Sequence, residues 1–408
     1  MRRLLVVLST FGREGAQQGR VAGVAHPGVG VGVVLGRCHW RFHIRDYREV
    51  TGNLPVPVVW SEQCLQHEPG GEVWLGVRDV GTEVPARAQV LRDALAAAGA
   101  PEVPATAHGD DILRAVHDPA LLDYLAGVWA EWERAGFPAE YGRDRVVPYV
   151  FPTAGMLAGL PLRSPPAVHG RAGRFCYDTM TLVGPGSWAA IRGAADAALT
   201  AAGLVSSGER LAYALCRPPG HHATRAAYGG SCYLNNAAIA AQALIAAGAG
   251  RVAVLDIDAH HGNGTQMIFY SRGDVYYGSL HIDPGAGWFP HYCGYAGERG
   301  TGAGEGANQN LPLPPGTGDE GWLAAVRAMC AGAAAHGADA VVVSLGLDAA
   351  EADPESPLRV TEAGYREAGR LAAALAPTVL VQEGGYDLAT LGPLAVAALT
   401  GAASAAAG

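Results

Sequence analysis

The pattern of apolar and polar positions in this chain changes character near Val56. Before it, residues 1–54 hold a Gly/Val tract (Gly28 to Gly36) and an Arg/His/aromatic cluster (Arg37 to Arg48) with no helical or strand period. This stretch is expected to be a poorly ordered extension. From Val56 on, short runs of Val, Leu and Ile recur between longer Ala-rich stretches. A strand covered on both faces has no need of alternating polar residues, so these runs predict buried strands at Val56–Trp60, Leu211–Cys216, Val252–Asp256, Val275–Leu280, Ala340–Leu345 and Thr378–Gln382. The stretches between them predict helices over Ala86–Ala98, Ala120–Ala135, Ser187–Gly203, Asn235–Ala247, Gly321–His336 and Thr361–Leu375. Asp118 and Pro119 stand where a cap and a first helical residue belong for the second of these. Strands alternating with helices define an α/β chain, with an open, mostly parallel sheet flanked by helices on both faces. The domain so predicted spans 55–400, and 401–408 form an Ala-rich tail. Gly136–Gly173, rich in Pro and Arg and without period, reads as a long loop of the kind used in function or assembly.

Several of these strands end in polar residues that a buried strand does not need. Val252–Asp256 lies within RVAVLDIDAHHGNGTQ, Arg251 to Gln266. Side chains alternate along an extended backbone, so Asp256, Asp258 and His260 point to one side, and open α/β sheets place ligands beyond the carboxyl ends of their strands. Two carboxylates and an imidazole suit a divalent metal such as zinc, with one position left for water in a catalytic site. A capped strand end with a satisfied ion pair is the plainer alternative. Leu211–Cys216 runs into Arg217-Pro218-Pro219-Gly220-His221-His222, Ala340–Leu345 into Gly346-Leu347-Asp348, and Thr378–Gln382 into Glu383-Gly384-Gly385-Tyr386.

Charge and composition narrow the function classes. Against 29 basic residues stand 38 acidic ones, a net charge of -9, which argues against a nucleic-acid surface and permits a cationic substrate. Every basic residue is Arg, and Ala and Gly abound, a pattern that looks like GC-rich coding and not a selected feature. The 7 Cys are scattered without a Cys-x-x-Cys pair, as in a reducing cytoplasm. Leu4 to Leu8 is shorter than the roughly 7 to 15 apolar residues of a secretory signal, and no run of about 18 could span a bilayer. A cytoplasmic protein with no membrane partner is expected.

Taken together and in this order, RPPGHHA, GGSCYLNNAA, DIDAHHGNGTQ, SLHIDP, SLGLDAAEADP and EGGYD resemble the histone deacetylase superfamily, whose fold is an arginase-like α/β sheet, over roughly residues 55 to 400. Ser279 to Gly297, GAGEGANQNLPLPPGTGD and VHDPALLDYL look most like the bacterial acetylpolyamine amidohydrolases. The resemblance implies Asp258, His260 and Asp348 as ligands of one Zn2+, and His222 as general base and acid. His221 would be an electrostatic partner held by Asp256, and Tyr386 the donor to the oxyanion. Gly230, Ser231 and Phe289 would line the substrate channel. A K+ ion would lie beneath, at Asp256, Asp258, His260, Ser279 and Leu280. The substrate implied is a small cationic N-acylated amine, and the assembly a homodimer.

Two positions depart from the pattern. Many relatives pair the second His with Asp, but Asn263 stands here, so His222 is expected to stay a free base to lower pH. Ser231 replaces an aromatic wall opposite Phe289, which predicts a wider channel. Glu131, Glu133 and Glu140 are candidates for an acidic rim that favours polyamines, although Arg143 and Arg145 lie in the same region. A protein-lysine deacetylase is the alternative within this chemistry. A catalytically silent acyl-amine binder would lack a ligand or Tyr386, and none is missing. His261 has no assigned role.

Overall fold

In the computed structural model, which describes residues 54–406, the apolar runs become strands. In chain order these are β1 (Val58–Trp60), β2 (Glu72–Trp74), β3 (Val77–Asp79), β4 (Glu102–Pro104), β5 (Leu211–Ala214), β6 (Val252–Asp256), β7 (Val275–Ile282), β8 (Asn308–Leu313), β9 (Ala340–Leu345) and β10 (Thr378–Gln382). One 8-stranded sheet has the order β4-β1-β5-β10-β9-β6-β7-β8, and every neighbouring pair is parallel. All residues of β5, β6, β7, β9 and β10 are buried, which explains why their sequences do not alternate. The expected extension over 1–54 lies outside the described residues except for Leu54, which is buried.

The strand order places the chemistry. β5, β10, β9 and β6 are consecutive neighbours, in registers that pair Val381 with Ala214, Gln382 with Leu345, and Asp256 with Ser344. Because they run parallel, their carboxyl ends share one rim, and the polar sequences that follow them emerge side by side. The chain builds outward from β6 to β7 and β8, then returns to insert β9 and β10 between β6 and β5. Such a reversal opens a crevice at the strand ends, where α/β folds bind ligands.

The predicted helices form with their ends shifted by a few residues, among them Ala86–Ala97, Pro119–Arg134, Ser187–Ser206, Asn236–Ala246, Asp319–His336 and Glu362–Ala373. Asp118 accepts from Ala120 N at 2.8 Å and Asn235 Oδ1 from Ala238 N at 2.9 Å, which caps two of them. The Ala and Gly content also serves packing, a correction to its reading as coding bias alone. A Cβ at Gly369 would stand 2.1 Å from the Ala398 carbonyl oxygen and one at Gly401 1.8 Å from that of Arg366, so Glu362–Ala373 and Leu391–Ala406 meet backbone to backbone. The latter helix carries residues 401–406 of the tail.

The edge strands β4 and β8 and the antiparallel hairpin β2-β3 are not foreshadowed by the hydrophobic pattern. The segment read as a loop over Gly136–Gly173 contains Ala154–Leu157 and most of the helix Val168–Phe175. An ion pair between Arg78 and Asp144 at 2.5 Å ties it to the hairpin. Among the described residues no helix is long and apolar enough to cross a membrane.

Candidate active site

Asp258 and His260 follow β6, and Asp348 follows its neighbour β9. One donor atom from each lies within 4.8 Å of the other two. His260 Nδ1 is 3.1 Å from Asp348 Oδ2 and 3.4 Å from Asp258 Oδ1. The backbone fixes the carboxylates, with Ala259 N donating to Asp348 Oδ1 at 2.8 Å and Gly384 N to Asp258 Oδ2 at 2.9 Å. Gly384 is required here, since a Cβ would stand 2.4 Å from Asp348 Oδ2. Burial and the charge of Asp258 raise the Asp348 carboxyl to about 7. Asp258 stays below the usual carboxylate range despite burial, because His221 and His260 face it. His260 is driven well above the usual imidazole range, against burial, by the two carboxylates. Two crowded buried carboxylates beside an imidazole nitrogen fit a divalent cation, which would take over the charge balance that a proton on His260 otherwise supplies.

The run after β5 brings His221 and His222 together with ring centroids 4.0 Å apart. His221 Nδ1 is 3.1 Å from Asp256 Oδ2, which also accepts from the Tyr277 hydroxyl at 3.0 Å. Burial disfavours a cationic His221, but Asp258 and Asp256 outweigh it and raise the group to about 10. His222 Nδ1 is 2.7 Å from Asn263 Oδ1. Burial, reinforced by the positive charges of His221 and His260, pushes His222 well below the usual range. The surroundings thus push the two adjacent imidazoles in opposite directions, His221 toward its charged form and His222 toward its neutral one.

Tyr386 follows β10 on a tightly held loop. Its N donates to Asp353 Oδ2 at 2.7 Å, and the Arg87 guanidinium lies 4.6 Å above its ring centroid. Arg87 also donates to the carbonyls of Gly385 at 2.5 Å and Glu383 at 2.7 Å. It pairs at 3.0 Å with Glu83, which Arg217 holds from the other side at 2.9 Å. Glu383 Oε2 accepts from Gly220 N at 2.6 Å and His221 N at 3.1 Å, and so joins the loops after β10 and β5. Sequence reasoning assigned none of these supporting roles. Glu383 and Asp353 stand inside quoted motifs, whereas Arg87, at the start of an Ala-rich helix, leaves no local signal.

Gly230 and Ser231 have φ of 59° and 62°, and Gly230 packs on His222 so closely that a Cβ would stand 2.4 Å from its Cδ2. Phe289 turns its ring 88° to that of His222 at 4.8 Å and lies parallel to Tyr177 at 6.5 Å. Ser231 lines a small cavity with Met180 and with Glu72 of β2. Burial, then Glu355, Asp178 and Asp79, raise Glu72 to about 7. Glu131 pairs with Arg171, Glu140 with Arg143, and Glu133 is exposed on the helix. Ser279 lies opposite Asp256 between β7 and β6, and Leu280 beside it is buried. His261 turns away from its neighbour His260, into a buried polar cluster where its Nε2 is 3.1 Å from Gln266 Oε1 and its ring 4.6 Å from that of His281.

A family model described as the histone deacetylase domain matches residues 81–402. With this sheet and this constellation at its rim, the chain belongs to the histone deacetylase family. It is similar to acetylpolyamine amidohydrolase 1 of Pseudomonas aeruginosa, 43% identical over 345 residues that cover 84% of this chain and 97% of that protein. The acetylpolyamine amidohydrolase of Mycoplana ramosa is 40% identical over 337 residues, 82% of this chain and 96% of that one. The crystal structure of acetylpolyamine aminohydrolase from Burkholderia pseudomallei matches with a TM-score of 0.79 at 40% identity, covering 86% of this chain and 99% of that one. The arginase/deacetylase-like α/β fold expected from the motifs is the fold observed.

Proposed function

We propose that this chain is a zinc-dependent amide hydrolase that removes acetyl or related acyl groups from acetylpolyamines or similar small N-acylated amines. What carries this is the meeting of Asp258, His260 and Asp348 with His221, His222 and Tyr386 at the carboxyl ends of four adjacent strands. The similar proteins named for acetylpolyamine hydrolysis support it.

Asp258, His260 and Asp348 would hold the zinc ion, which supplies Lewis acidity to the acetamide carbonyl and lowers the pKa of water from about 15.7 to about 7. His222, kept neutral by its surroundings, takes the proton of the attacking water at Nε2 and delivers it to the departing amine. His221, charged through Asp256, sets a positive charge beside the developing oxyanion. Burial raises the Tyr386 phenol well above its usual range, so it stays a hydrogen-bond donor to that oxyanion. Potassium held through Asp256, Asp258, His260, Ser279 and Leu280 belongs to the same reading.

Asn263→Asp is expected to raise the pKa of His222 by placing a carboxylate where an amide oxygen now sits 2.7 Å from Nδ1. The base acts deprotonated, so activity falls as pH drops through its pKa. The acidic limb of the kcat/KM profile should therefore move to higher pH by about one unit or more. A limb that stays in place would exclude this role for Asn263.

On this reading the cationic end of a polyamine would meet Glu72, which shares a small cavity with Ser231, and Glu355, which accepts from the Thr82 hydroxyl at 2.9 Å. Glu72→Gln is expected to raise KM for N-acetylputrescine about fivefold and to leave that for neutral N-butylacetamide unchanged. Since Glu72 ionises as pH rises through about 7, KM for the cation should fall across that range in the parent and stay level in the variant. Equal changes for both substrates would remove Glu72 from recognition.

Exposed Trp74 and Leu75 on the hairpin and Tyr141, Tyr149, Met156 and Leu160 on the long segment support a homodimer. The free cysteines among the described residues accord with a cytoplasmic setting. The metal-loaded protein should be assayed against N-acetylputrescine, N-acetylspermidine, an acetyl-lysine peptide and a longer acyl-lysine. Cleavage of the peptide alone would favour the protein-lysine deacetylase alternative, and no cleavage with no bound zinc would end the amidohydrolase reading.

A further inference from the structure

We propose that Tyr177 is a positioning residue that orients the Asn263 amide and thereby sets the tautomer of His222; this rests on the reading of His222 as the base. The Tyr177 hydroxyl lies 2.9 Å from the backbone carbonyl oxygen of His222. A carbonyl only accepts, so the phenol hydrogen points there. The phenol oxygen is left as an acceptor, and the Asn263 atom facing it at 3.4 Å is therefore the NH2 group. That places Asn263 Oδ1, which also only accepts, 2.7 Å from His222 Nδ1. Nδ1 must then carry the hydrogen of the neutral ring, and Nε2 keeps the lone pair that takes a proton from water.

The hydrogen bonds close on themselves, from His222 Nδ1 to Asn263 Oδ1, from Asn263 Nδ2 to Tyr177 Oη, and from Tyr177 Oη to the carbonyl of His222. With the amide reversed, Tyr177 would donate to Oδ1 and Nδ2 would donate to Nδ1. The bond to the His222 carbonyl would be lost, and the ring hydrogen would sit on Nε2, where it blocks proton uptake. A carboxylate at 263 offers an oxygen in either orientation and would need no such guard. Asn263 does, and Tyr177 supplies it.

Tyr177 is built in firmly enough for this. Its N donates to the Tyr228 carbonyl at 3.1 Å, and its ring lies parallel to Phe289. Gly229 meets the ring so closely that a Cβ would stand 2.4 Å from Tyr177 Cε2. Burial raises the phenol pKa well above its usual range, so the hydroxyl keeps its hydrogen. Tyr177→Phe preserves the ring contacts and removes the hydroxyl alone.

The test compares the parent, Tyr177→Phe, Asn263→Asp and the double variant, using kcat and KM on N-acetylputrescine. Imidazole 15N spectra of the metal-free proteins accompany the kinetics, with the His222 signals assigned by their loss in His222→Gln. Tyr177→Phe should lower kcat on the order of tenfold with little change in KM, the effect of one hydrogen bond on the tautomer balance. In the Asn263→Asp background the same substitution should change kcat less than about twofold. The 15N shifts should show Nδ1–H in the parent and a move toward Nε2–H in Tyr177→Phe. Equal losses in both backgrounds would make Tyr177 merely structural and overturn the proposal, as would an unchanged tautomer in Tyr177→Phe. A parent inert toward every acylated amine yet showing Nδ1–H would remove the hydrolase reading and leave the tautomer assignment standing.

Discussion

Tyr386→Phe should lower kcat on N-acetylputrescine by about 100- to 1,000-fold, with KM and zinc content close to the parent's. Among the described residues no hydrogen bond engages the Tyr386 hydroxyl, so the substitution leaves no buried group unpaired. The ring stays beneath the Arg87 guanidinium, 4.6 Å from its centroid, and the backbone N keeps its bond to Asp353. What is lost is a donor aimed at charge that exists only as the carbonyl becomes tetrahedral, and such a loss appears in kcat. A rise in KM of the same size, or loss of zinc, would show that Tyr386 builds the site and does not stabilise its transition state.

Arg87→Met should destabilise the fold by about 3 kcal/mol, measured as a lower urea midpoint, and reduce kcat as well. Arg87 is 2% exposed and binds two carbonyls of the loop that carries Tyr386. Met fills much of the space but leaves the Gly385 and Glu383 carbonyls without these donors, and Glu83 with Arg217 as its remaining guanidinium partner. The size of the effect therefore falls below that of stripping Glu83 of all its charge partners. An unchanged midpoint would mean that the Glu83–Arg217 pair alone holds this region.

Much of the fold was legible because the inner strands are covered on both faces. β6, β9 and β10 read as unbroken apolar runs, and the structure gives them the predicted bounds. The hairpin β2-β3 was not legible, since its strands are three residues long and carry half-buried or exposed polar groups such as Glu72 and Arg78. For the same reason Glu72, which shares a small cavity with Ser231, carries no signal in the sequence, whereas of the acids the sequence suggests for a rim Glu131 and Glu140 are paired with Arg171 and Arg143. Arg87 and Tyr177 were missed for a different reason. Their roles rest on partners 298 and 45 residues away in the chain, and no local pattern marks them.

The sequence by itself determined the chemistry at the end of β6, because the buried run Val252–Asp256 stops where Asp258 and His260 begin. The extended alternation expected for them does not continue past Asp256, and a bend in which His260 N donates to Asp258 Oδ1 at 2.9 Å presents them instead. The sequence also determined which other segments carry complementary groups. Only the tertiary structure decided that β9 lies beside β6 and β10 beside β5, since strand neighbours are chosen by long-range packing and crossover and not by nearby residues. That choice brings Asp348 to Asp258 and His260, and Glu383 to His221. It also separates two adjacent histidines, leaving His260 facing the carboxylates and His261 buried against Gln266.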